Sequence, residues 1–94
     1  MTFKELEFTD ISKTHGEGGK QAYVELGDGY DFSVVKHKHS YGSEKGLYEI
    51  AVFFKNHMVD PADWGDTVKG WMNENDVEYW LNYINELRKK SIDS

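Results

Sequence analysis

His37 and His39 stand one residue apart in a segment that reads as a strand end, so both imidazoles project to one face. Two imidazoles at that spacing can share a metal ion, but a site needs at least one further ligand, from Glu49 across the sheet or from His15 or His57. Lys36 precedes the pair and Lys38 lies within it; both repel a cation, which favours a solvated basic strand end. Glu25, Asp28 and Asp31 gather at a hairpin in which Glu25 faces Asp31. A cation can bridge such a like-charge pair, but the spacing of a calcium-binding loop is missing and an exposed solvated pair is favoured. Gly16-Glu17-Gly18-Gly19-Lys20 resembles a phosphate loop only briefly, because Gln21 and a strand follow where Ser or Thr and a helix are required. Ser, His and Asp all occur, but no Gly-x-Ser-x-Gly elbow or similar frame sets them as a triad, and no cysteine offers a thiolate. The reading is therefore a chain that is not an enzyme, with no catalytic residue, no metal and no cofactor.

Recognition is the remaining chemistry, and the chain is rich in aromatics for it: five Phe, six Tyr and three Trp. Trp80 falls on a helical apolar stripe and reads as core. Trp64 and Trp71 flank an acidic loop, Asp60-Pro61-Ala62-Asp63-Trp64-Gly65-Asp66, where a Trp either pins the loop to the core or anchors a partner. Tyr41 lies in a Ser40-Tyr41-Gly42 turn, and Tyr79 and Tyr83 flank the helix stripe. Anchors on a small domain sit in a polar rim. The expected partner-binding residues are therefore Tyr41, Gly42, Tyr79 and Tyr83, and, as the next candidate, Trp64, Asp60, Asp63 and Asp66 of the acidic segment 58–78. The alternative for the tyrosines is that they cover core edges with their hydroxyls in water.

Charge separates the possible partners. Seventeen Asp and Glu oppose eleven Lys and Arg, a net charge of −6. Residues 58–86 hold seven of the acids and one base, Lys69, and the remainder holds ten of each, so the whole excess lies in the loop before the last helix and in that helix. Direct nucleic-acid binding by phosphate neutralisation is excluded on this balance. The expected partner is a protein; the alternatives are an acidic mimic of nucleic acid that blocks a DNA-handling protein, and a small-ligand or metal-binding protein. Neither a signal peptide nor an apolar run of membrane-spanning length is present, and cysteine is absent, which fits a cytoplasmic protein.

Ninety-four residues allow one domain, 1–94, that hides roughly 60–65% of its unfolded surface. Residues 4–8, 21–26 and 30–34 alternate polar and apolar as half-buried strands do. A three-residue Gly27-Asp28-Gly29 loop sets Ala22 against Val34, Val24 against Phe32 and Leu26 against Tyr30, which puts apolar side chains on a common face; a two-residue loop opposes apolar to polar. Leu47 to Lys55 is apolar on both faces and reads as a central strand. Residues 56–70 read mostly as loop. The last element is a helix with Asn73 as N-cap, Asp76 three residues on, and a stripe of Val77, Trp80, Leu81, Ile84 and Leu87. The expected fold is α+β: a three- to four-stranded antiparallel sheet packed on one C-terminal helix.

Across about two thirds of the chain, Ser40-Tyr41-Gly42, then Gly46-Leu47-Tyr48-Glu49, then Asp66-Thr67-Val68-Lys69-Gly70-Trp71 and an acidic helix resemble small uncharacterised proteins of tailed bacteriophages. The resemblance implies an accessory protein, made in the cytoplasm of an infected bacterium, that acts on a host or phage protein. It implies no catalytic residue.

Overall fold

The structure, a computed structural model of the chain, describes residues 1–11, 19–36 and 45–92. His37, His39, Tyr41, Gly42 and the run Gly16-Glu17-Gly18 lie outside them. Among the described residues a 3-10 turn, Phe3–Glu5, is followed by β1 (Phe8–Asp10), β2 (Lys20–Gly27), β3 (Tyr30–Lys36), β4 (Tyr48–Phe54), β5 (His57–Val59), β6 (Val68–Met72) and one helix, α1 (Glu74–Ile92). All pairings are antiparallel, in the order β1-β2-β3-β4, with β5 and β6 both on the outer edge of β4.

The α+β class and the single C-terminal helix stand as expected, but the sheet has six strands, not three to four. The two additions lie in the stretch 56–70 read as loop and in its continuation to Met72. They are short, and the turn that opens the first carries no glycine: Lys55 and Asn56 both have positive φ, 51° and 70°, as a type I′ hairpin requires. The alternation over 4–8 is also corrected. Phe3 and Leu6, three apart, both turn inward from a 3-10 turn, and pairing starts only at Phe8.

The β2–β3 hairpin keeps the expected partners Ala22↔Val34 and Val24↔Phe32. Its end differs: Gly27 pairs with Tyr30, so the turn is the two residues Asp28-Gly29 and the extra residue is taken up by a bulge between Glu25 and Gly27. Gly27, Asp28 and Gly29 all have positive φ, 100°, 58° and 90°, which explains the two glycines.

One face of the sheet and the helix stripe make the core. Phe32, Val34, Ile50, Val52, Val77, Leu81 and Ile84 have no exposed surface beyond 2%, and Leu87, Tyr30 and Trp80 pack half-buried around them. The helix begins in a complete capping box: the Asp76 amide donates to Asn73 Oδ1 at 2.8 Å and the Asn73 amide donates to Asp76 Oδ2 at 3.1 Å. Its first half is tied to the chain start, where the Phe3 amide donates to Glu78 Oε1 at 2.8 Å, and its last turn to the β2–β3 turn, where Arg88 Nη1 meets Asp28 Oδ2 at 2.6 Å.

The opposite face sets Gln21, Tyr23 and Glu25 of β2 against Val35, Ser33 and Asp31 of β3. Tyr23 donates to Asp31 Oδ2 at 2.7 Å, and that bond foremost pushes the phenol up to about 12. Glu25 and Asp31 are opposed as expected, but the Tyr23 hydroxyl serves Asp31 directly. On the core face Lys20 and Lys36 are opposed, and both ammonium groups lie over the Tyr48 ring, at 5.4 and 5.5 Å, which offsets part of their repulsion.

Leu81 carries the contact between layers. Leu81→Ala should destabilise the chain by about 2–5 kcal/mol, a large share of a small domain's stability, through lost transfer energy and the cavity left behind. Urea denaturation checks this; a midpoint shift no larger than that of a surface substitution would contradict the packing described.

Candidate functional site

The site begins at Asp60, immediately after β5. Its Oδ1 accepts the amides of Trp64 at 2.8 Å and Ala62 at 3.3 Å, and its Oδ2 accepts the amide of Gly65 at 2.9 Å. The Trp64 amide foremost, with those of Ala62, Gly65 and Asp66, holds this carboxyl below the usual carboxylate range against an opposing desolvation effect. Positive φ at Asp63 and Gly65, 57° and 82°, lets the loop close around the carboxylate. Asp66 Oδ1 accepts the Thr67 amide at 2.7 Å, and Asp63 is exposed. All three loop acids are exposed; Asp60 in addition accepts three backbone amides and Asp66 one.

The closed loop sets Trp64 against α1. Its ring meets Trp80 edge-on, centroids 5.2 Å apart at 87°, and its buried Nε1 has no hydrogen-bond partner among the described residues. Trp80 in turn meets Tyr79 at 5.2 Å and Tyr83 at 5.1 Å, both edge-on, and the Lys69 ammonium of β6 lies 5.8 Å from the Trp80 ring. Tyr79 and Tyr83, four residues apart on one helix face, stack at 6.2 Å with 28° between their planes. They are 61% and 39% exposed, and neither belongs to the core cluster. A shallow groove of about 500 Å³ runs beside them, lined by Asn75, Glu78, Tyr79, Asn82, Tyr83 and Glu86.

The structure therefore joins two groups that the sequence names separately. Asp60, Asp63, Trp64 and Asp66 meet Tyr79 and Tyr83 through Trp80, which is a half-buried hub and not a fully buried core residue. Tyr41 and Gly42 lie outside the described residues, as do His37 and His39. Among the described residues no three His, Asp or Glu side chains cluster as metal ligands, and no helix is long and apolar enough to cross a membrane. Two exposed aromatics are missing from the expected site: Tyr23, 49% exposed on β2, and Trp71, 52% exposed, which sits at the bulge of β6 with a φ of 63° and has the Lys45 ammonium 5.9 Å from its ring. The sequence carries a faint signal for Trp71, the preceding Gly70, since glycine in a strand marks bulges.

Fold and site together define a small α+β domain with a solvent-facing aromatic surface beside an acidic loop. Comparison with protein-family models, with curated proteins and with solved structures finds no match to this chain.

Because the Asp60 carboxyl is depressed in the folded state, its contribution to stability is full above its ordinary value near 3.8 and is lost as pH falls below that toward the folded value. Asp60→Asn should make the urea midpoint less sensitive to acid than wild type between about pH 6 and about pH 3. Equal sensitivity in the two proteins would remove the carboxylate–amide bonds as the support of the loop.

Proposed function

We propose that this chain is a protein-binding module that engages its partner through the surface of Tyr79, Tyr83, Trp80 and Trp64, with Asp63 and Asp66 at its rim. One observation carries the reading: two tyrosines, 61% and 39% exposed, stand stacked on a two-ended, clamped helix without serving the core. Large rigid rings beside a groove supply contact area at small conformational cost, and such rings dominate binding energy at interfaces. The setting implied by the tailed-phage resemblance is an accessory protein acting on a host protein.

The acidic mimic of nucleic acid has weaker support. Phosphate mimicry needs acids spaced like phosphates over an extended face. The seven acids in residues 58–86 lie on one short loop and one helix, which supply such an array poorly.

Capture from bacterial lysate, followed by purification of the captured protein and titration against wild type and Tyr79→Ala/Tyr83→Ala, tests the proposal. The double variant should bind at least about tenfold more weakly, a loss of the size expected at anchor residues, with a melting temperature within a few degrees of wild type. Undiminished binding, or a loss that merely follows unfolding, would overturn it.

A further inference from the structure

The groove beside Tyr79 and Tyr83 has a charge pattern as well as a shape. Its two charged lining residues are both acids, Glu78 and Glu86, and they bracket the two rings along the helix. Eight residues of helix separate them, a rise of about 12 Å. Glu78 accepts the Phe3 amide through Oε1, a neutral donor that leaves the carboxylate without a countercharge from that bond. Glu86 is 3.4 Å from Lys89, a pair whose side chains are both more than half exposed and therefore hold each other weakly. Two further cations border the groove: the Met1 ammonium donates to Oδ1 of the lining residue Asn82 at 3.1 Å, and Lys90 lines the adjoining hollow with Tyr83, Glu86 and Leu87.

We infer that this groove takes a basic segment of a partner protein, one that presents two Arg or Lys side chains about 12 Å apart on either side of an apolar residue. This rests on the docking reading above and names the chemistry of what docks. The apolar residue lies against the stacked rings. The two cations reach Glu78 and Glu86, and a guanidinium can also stack on the exposed ring faces. An extended peptide meets the spacing with bases four residues apart, about 13 Å, and a helix meets it with bases seven or eight apart. Charge excludes the obvious competitors. Nucleic acid is repelled by the same two carboxylates. A second copy of this chain, paired antiparallel about Asn82, would set Glu78 against Glu86 of the other copy twice over.

Selection of displayed random twelve-residue peptides on the intact chain tests this without assuming a ligand. Enriched peptides should carry two bases at one of these spacings around an apolar residue. Their affinity, read by fluorescence anisotropy, should fall about tenfold or more in Glu78→Gln/Glu86→Gln, with a shallower salt dependence and an unchanged melting temperature. The glutamine at position 78 keeps an acceptor for the Phe3 amide, so the fold is retained. Peptides that need Tyr79 and Tyr83 but lack paired bases, or whose bases ignore the two glutamates, would overturn this inference and leave the docking reading standing. Self-association that needs both tyrosines would replace the basic segment by a second copy. Selection that yields no peptide dependent on the tyrosines would end both readings.

Discussion

The outer edge of β4 carries two partners, and the chain between them has to leave the sheet and come back. Val59 pairs with Val52 and Val68 with Ala51, adjacent positions on β4, so residues 60–67 depart and return at a single step of the ladder. β5 and β6 are in effect one interrupted strand. A loop whose ends are held that close needs internal hydrogen bonds and apolar contacts to hold a shape. Asp60 supplies the first by accepting three backbone amides. Trp64 supplies the second by lying on the helix. The site exists because the interruption falls next to α1: Lys69, paired with Ile50 on the face that the helix covers, comes within 5.8 Å of the Trp80 ring.

The helix has to be fixed for such a surface to be rigid. Its apolar face is fully buried at Val77, Leu81 and Ile84. At one end, the chain start binds Asn82 and Glu78; at the other, Arg88 reaches the Asp28 turn. The Arg88–Asp28 pair is partly exposed and adds little energy alone, but it fixes the last turn against the sheet. Rigid anchors lose less entropy on binding than mobile ones. Tyr79 and Tyr83 therefore gain from the core beneath them without belonging to it.

The parts legible in the sequence are those with a strong local pattern. The capping box at Asn73, the helix stripe and the common-face rule at Ala22, Val24, Phe32 and Val34 each follow from spacing alone. Residues 57–59 are too short for alternation to show, residues 68–72 break it at Gly70 and the bulge at Trp71, and the Lys55-Asn56 turn lacks the glycine that marks most two-residue hairpins. At the site, the aromatic and acidic residues can be named from type and neighbourhood. Their junction cannot, because it depends on the splice at Val59 and Val68, which brings residues sixteen apart, Trp64 and Trp80, into contact. Trp80 satisfies the apolar stripe equally well as a buried residue or as an edge, and only the position of the loop decides between them.

The claim that binds these observations is that the Asp60-closed loop seats Trp64 on Trp80 and so extends the helix surface. A nuclear Overhauser spectrum of protein with assigned tryptophan rings measures that contact directly. Cross-peaks between the Trp64 and Trp80 indole protons, expected for centroids 5.2 Å apart, are the predicted result. A Trp64 ring with random-coil shifts and no cross-peak to Trp80 would contradict it.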